Sequence, residues 1–144
     1  MSEPLQLPDT LAAILKDLPL EQLAFTPVPV KARRDGWTAA RQRGLVDRLA
    51  LGATVAVAAR GVGMSRESAY RLRERAGAAS FAAAWDKASE WGEERMADLA
   101  LERALIGEVR PIFYRGVKRG EYVRHDNRIV AALLARHFRL GNCL

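Results

Sequence analysis

The sequence predicts a mostly helical fold: a compact three-helix unit, a long central helix, and a C-terminal β-hairpin followed by one more helix. Three observations carry this prediction. Apolar residues recur at spacings of three and four over most of the chain, the period of one helix face. Thr38, Thr54 and Ser65 each stand directly before such a stretch, as N-caps do, and Gly52 and Gly77 stand where helices stop. Past residue 110 the period changes, and β-branched and aromatic residues flank Arg115-Gly116, a hairpin signal.

In chain order, Leu11, Ile14, Leu15 and Leu18 make one helical stripe over 10–18, with Asp9 or Thr10 as N-cap and Pro19 ending it. Leu20 and Leu23 extend that apolar surface. Phe25-Thr26-Pro27-Val28-Pro29-Val30 is held extended by its two prolines. Lys31, Arg33 and Arg34 follow at once, so 25–36 reads as a linker that becomes a basic arm. The helix over 39–51 turns Leu45, Val46, Leu49 and Ala50 inward. A short helix of small apolar residues, 55–60, is broken by Gly61 and Gly63, and a third helix covers 66–76.

Residues 80–106 read as one long helix, or as two with a break near Gly92. Phe81, Trp85, Ala88, Met96 and Leu99 keep near-heptad spacing. Such a helix spans about 40 Å, more than a compact domain of this size needs, and the chain offers no core large enough to cover that face. Phe81, Trp85 and Trp91, with Phe113 and Tyr114 of the hairpin, are therefore expected in a subunit interface. A last helix is expected over 127–139, capped by Asp126, with Ile129, Val130, Leu133, Leu134 and Phe138 inward and Gly141 as its stop. The division that follows is 1–36, an N-terminal helix and basic arm; 37–77, a three-helix unit; and 78–144, an oligomerisation module.

The 144 residues are 49% apolar and 28% charged, which excludes disordered, collagen-like and membrane-spanning classes. No segment reaches the ~18 uninterrupted apolar residues of a membrane helix. One cysteine, Cys143, allows no intrachain disulfide, and residues 1–8 lack the basic and apolar regions of a signal peptide, so a cytoplasmic protein without a membrane partner is expected. The net charge of +6 is unevenly spread: −3 over 1–30, +7 over 31–76, −4 over 77–108 and +6 over 109–144. Two basic blocks around an acidic one suit a polyanion, and nucleic acid is the commonest.

Residues 54–75 carry the most information, and they resemble the helix-turn-helix of DNA-binding proteins. Close crossing of two helices needs a small residue, supplied by Ala59, and a turn residue that tolerates positive φ, supplied by Gly63. Ala58, Val62, Met64, Ala69 and Leu72 are apolar where the motif turns inward. Ser65, Arg66, Glu67, Tyr70, Arg71 and Glu74 are polar where it turns outward. The resemblance implies a homeodomain-like unit whose last helix lies in the major groove. Arg66 and Arg71 would then pair with guanine O6 and N7, Glu67 would accept from cytosine N4, Tyr70 would touch a phosphate or a thymine methyl, and Ser65 would join them at the helix start. Arg73, Arg75, Arg41 and Arg43 would meet phosphates, and Arg33 and Arg34 the adjacent minor groove.

The larger order is more distinctive. A Pro-Val-Pro segment, Arg-Arg-Asp-Gly-Trp-Thr, the 54–75 motif and a Ser-Phe-Ala-Ala-Ala-Trp-Asp helix come first. Pro111-Ile112-Phe113-Tyr114-Arg115-Gly116 and an Asp126-capped helix follow. Over roughly 27–139 this looks like phage terminase small-subunit-like proteins and their chromosomal bacterial relatives, whose tail has the form Pro-Val-Phe-Tyr-Lys-Gly. The resemblance implies double-stranded DNA recognition, homo-oligomerisation and a large terminase subunit as partner, with ATPase and nuclease chemistry left to that subunit. A helix-turn-helix transcriptional regulator is the alternative, and a helical scaffold without DNA a further one.

No catalytic or cofactor constellation is expected. His125 and His137 lie twelve residues apart with no ligand at metal spacing. Cys143 beside Gly141 is poorly placed to act as a nucleophile. Gly61-Val62-Gly63-Met64-Ser65 lacks the third glycine and the lysine of nucleotide loops.

Overall fold

The computed structural model describes residues 6–125, 128, 131, 132, 134 and 135. The chain is mostly helical, with a two-stranded antiparallel hairpin towards its C-terminal end. The elements are α1 (Asp9–Lys16), a 3-10 turn (Leu20–Leu23), α2 (Ala39–Ala50), α3 (Val55–Gly61), α4 (Arg66–Arg73), α5 (Ala79–Ile106), β1 (Glu108–Tyr114) and β2 (Val117–Arg124). They form two compact units, Met1–Arg95 and Met96–Leu144, whose boundary falls inside α5. Among the described residues, no helix is long and apolar enough to cross a membrane.

Local chemistry sets the helix starts in the first unit. The Thr38, Thr54 and Ser65 hydroxyls accept from the backbone N–H groups of Arg41, Val57 and Ser68, so the three expected caps are in place. α1 differs. It begins at Asp9 itself, with Pro8 in the cap position and no side-chain cap, instead of being capped by Asp9 or Thr10. Between α3 and α4, Gly63 has φ 73°. Its N–H donates to Arg60 O at 3.0 Å, and Met64 N–H donates to Ala59 O at 2.9 Å. That is a Schellman closure, which requires the left-handed conformation at Gly63. α4 ends at Arg73, three residues before the expected limit.

The core of this unit joins Leu45, Val46 and Leu49 of α2, Ala58 and Ala59 of α3, Ala69 and Leu72 of α4, and Phe81, Ala84, Trp85 and Ala88 of α5. Two expectations are corrected by it. Phe81 and Trp85 do not wait for another subunit: both are buried in the chain's own core, and Trp91 is half-buried against it. Nor is 25–36 a linker throughout. Val28 is buried, and Phe25 packs edge-on to Phe81 at 5.4 Å between ring centroids.

The extended strap 25–30 has backbone groups with no helix or sheet to pair with, and side chains pair with them instead. The Gln42 amide accepts from Val28 N–H at 2.7 Å and donates to Val28 O and Trp37 O, both at 3.1 Å. Ser80 Oγ accepts from Thr26 N–H at 3.0 Å and donates to Thr26 O at 3.2 Å. Pro27 and Pro29 between and beyond them have no N–H to satisfy. The expected three-part division therefore gives way to one unit in which the N-terminal segment and the start of α5 share a core with α2–α4.

α5 is continuous, without a break at Gly92. That glycine serves close packing. A Cβ there would overlap the Leu49 carbonyl oxygen and lie 2.9 Å from Gly52 Cα, so only glycine lets α5 cross the end of α2.

The second unit holds the end of α5 and the hairpin. Arg115 (φ 48°) and Gly116 (φ 76°) form the tight turn, both left-handed as a type I′ connection demands. Glu108 pairs with Arg124 and Tyr114 with Val117, with a bulge between Ile112 and Phe113 in the register. Nearly every hairpin residue is exposed. His125 places Nδ1 3.3 Å from Ala104 O near the end of α5. Of the expected helix 127–139, Arg128, Ala131, Ala132, Leu134 and Ala135 are helical; Leu134, expected inward, is exposed, while Asp126, Ile129, Val130, Leu133, Phe138 and Gly141 lie outside the described residues.

Gln42→Leu keeps the side-chain volume but orphans three buried backbone groups. It is expected to lower the unfolding free energy by about 3 kcal/mol, read from urea denaturation. Gly92→Ala is expected to destabilise as well, against the gain of about 1 kcal/mol that alanine brings to an unobstructed helix site. A thermal melt at or above the wild-type midpoint would refute the tight crossing.

Candidate nucleic-acid interface

α4 has two opposite faces. Ala69 and Leu72 are buried, while Ser65, Arg66, Glu67, Tyr70, Arg71 and Glu74 are exposed. Ala58, Ala59 and Val62 are buried beneath it, with Met64 partly so, and each side predicted for this segment is the side observed. The cause is the three-to-four spacing of its apolar residues, which leaves the remaining positions to water. Arg75, just past the helix, is exposed as well.

The exposed face has two stripes. Glu67, Arg71 and Glu74 form one. Arg66, Tyr70 and Arg73, at spacings of four and three, form the other, and this second stripe leans on α5. The Arg66 guanidinium lies 5.4 Å from the Tyr70 ring centroid, and Tyr70 lies 5.3 Å from Trp85. Arg73 stacks 5.2 Å over the other ring of the pair, Trp85. It also donates through both terminal nitrogens to Asp86, at 2.7 and 3.1 Å. Trp85 continues inward to Phe81 at 5.9 Å and thence to Phe25. A run of rings thus links the core to the exposed face of α4.

The basic turn 31–36 also sits beside α4. Trp37 Nε1 donates to Ser68 Oγ at 3.3 Å, and Ser68 Oγ donates to Ser65 O at 2.9 Å, so the residues before α2 are tied to the first turn of α4. Arg33 and Arg34 are exposed there. They lie in a turn closed by Gly36 N–H donating to Arg33 O at 3.2 Å, which differs from a free arm.

Three predicted phosphate contacts are spoken for within the chain. Arg43 pairs with Asp47 at 2.7 Å, donates to Leu23 O at 2.9 Å and lies over Phe25, so it braces the strap and is corrected to a structural residue. Arg41 donates to Gly36 O at 2.7 Å and holds the basic turn. Arg73 is bound to Asp86. The i,i+4 spacing within α2 offers Asp47 to Arg43, but charge and spacing alone do not reveal Leu23 O, Gly36 O or Asp86, because each lies on another element or in an irregular segment. Sequence reasoning missed Asp86, and it missed the support that Trp85, expected in a subunit interface, gives to α4. Their only signal is the adjacent Trp-Asp pair, which reads equally well as core beside a solvated acid.

Arg48 illustrates the opposite case. It is buried between α2 and α3, where a Cβ on Gly61 would press against its side chain. Burial lowers its pKa, and neighbouring Asp47 acts in the other direction. It belongs to the scaffold.

Phe113 and Tyr114 are exposed on the hairpin, open as an interface would need. Among the described residues, no group of three or more histidine, cysteine or acidic side chains is placed to hold a metal. Compared with known protein families, curated proteins and solved structures, the chain matches none.

Proposed function

We propose that the chain is an oligomeric double-stranded-DNA-binding protein in which α3 and α4 act as a helix-turn-helix. The observation that carries this reading is the two-sided α4, anchored by alanine and leucine and presenting Ser65, Arg66, Glu67, Tyr70 and Arg71 to solvent. A surface helix in an ordinary bundle has no need of an arginine-rich face beside a second basic segment at Arg33 and Arg34. In this reading α4 enters the major groove, Arg66 and Arg71 offer forked donors to guanine, Glu67 accepts from cytosine, and Arg75 meets a phosphate.

Oligomerisation rests on the second unit. Leu105, Ile106 and Phe113 are 75%, 65% and 62% exposed, and Val109, Ile112, Val117 and Tyr122 are also open to solvent. A lone two-stranded hairpin is marginal in water, and apolar surface of this kind marks an interaction site. A second copy of the chain is its simplest cover. The arrangement suits site recognition of the terminase small-subunit kind, with a large subunit as further partner. An operator-binding transcriptional regulator uses the same contacts.

Fluorescence anisotropy with labelled duplex across a salt series tests DNA binding. The expected result is a steep negative slope of log affinity on log salt, and a slope near zero would overturn the reading. Arg71→Ala is expected to weaken the preferred site by about 1–3 kcal/mol more than random duplex. Equal loss on both would move Arg71 to the phosphate contacts. Phe113→Glu is expected to lower the assembly mass in sedimentation, and an unchanged mass would remove the hairpin from the interface. The wild-type mass separates the two biological settings, since a dimer suits a palindromic operator and a larger closed ring suits packaging.

A further inference from the structure

We propose that Asp86 is a phosphate surrogate, holding Arg73 in the free protein and yielding it to a backbone phosphate when α4 docks on a duplex. The inference rests on the duplex-binding reading and deepens it, because it adds a residue of α5 to the interface.

The geometry argues for exchange. A guanidinium fork matches a carboxylate and a phosphate in the same two-pronged way, so one partner can replace the other without a change in the donor. The Arg73 fork meets both Asp86 oxygens, and the Asp86 side chain is 66% exposed against 27% for Arg73. The acceptor end of the pair therefore faces water, where an incoming anion can compete. Exposed pairs of this kind are weak and are readily displaced. The arginine itself stays placed when its partner changes, because its plane rests on Trp85, and Trp85 is held in the core by Phe81. Tyr70 lies against the same indole, so the platform that keeps Arg73 also orients a residue of the reading face. Arg73 follows Arg66 and Tyr70 on one stripe of α4, and a phosphate met by that stripe comes within reach of the fork.

The consequence is a brake on indiscriminate binding. In the free protein the local charge of Arg73 is cancelled by Asp86, and a duplex must displace the carboxylate before this phosphate contact forms.

The test is a double-mutant cycle on random duplex, with wild type, Asp86→Asn, Arg73→Gln and the double variant compared by anisotropy across salt. Asp86 is exposed and Arg73 half-buried, and circular dichroism checks that each variant is folded. Asp86→Asn is expected to tighten binding about two- to five-fold in the wild-type background. It should do so clearly less in the Arg73→Gln background. Arg73→Gln is expected to make the log–log salt slope shallower by about one. Equal effects of Asp86→Asn in both backgrounds, or an unchanged slope in Arg73→Gln, would overturn the exchange while leaving duplex binding intact. A wild-type chain that binds no duplex overturns the underlying reading instead, and the exchange with it.

Discussion

The buried amide of Gln42 holds the first unit together in a way no apolar residue can. The strap 25–30 carries two prolines, so it can join neither a helix nor the interior of a sheet. Its polar backbone must still be satisfied if it is to lie on the core. Gln42 does for Val28 what a neighbouring strand would do, accepting from its N–H and donating to its carbonyl, and it reaches Trp37 O as well. Ser80 repeats the arrangement at Thr26. With the strap in place, Leu23, Phe25 and Val28 complete the apolar surface against which Phe81 of α5 is buried.

The rest of the candidate site follows from that placement. Phe81 positions Trp85, and Trp85 supports Tyr70 and Arg73 of α4. Trp37, whose carbonyl Gln42 holds, reaches Ser68 and brings the basic turn to the start of the same helix. The polar face of α4 is thus backed by rings and by the Trp37–Ser68 hydrogen bond. A preorganised face loses less freedom on binding.

The second unit shows a different economy of surface. Apolar residues that would be core elsewhere lie open on α5 and on the hairpin. The near-heptad seam along α5 is two surfaces. Phe81, Trp85, Ala88 and Gly92 serve the chain's own core, whereas Met96 and Leu99 are exposed. Periodicity reports that a face is apolar and is silent on what covers it.

Much of the fold was legible from the sequence because it depends on neighbours along the chain. The caps at Thr38, Thr54 and Ser65, the left-handed turn at Gly63, the two faces of α4 and the Arg115-Gly116 hairpin all arise from interactions within a few residues. Side-chain partners from distant elements were not legible. Gln42 lies in the same stripe as Leu45, Val46 and Leu49, yet its buried role depends on a strap fourteen residues away. Arg43 and Arg73 carry the charge expected of phosphate contacts, and only the folded chain sets Leu23 O beside the first and Asp86 beside the second. Gly92 suggested a break, and the true reason for it is a carbonyl oxygen on α2. Local propensity and amphipathic period belong to the sequence itself, because both act over one or two helical turns. Which charges stay open and which faces are covered is decided by long-range packing, where a single partner far along the chain changes what a residue is able to do.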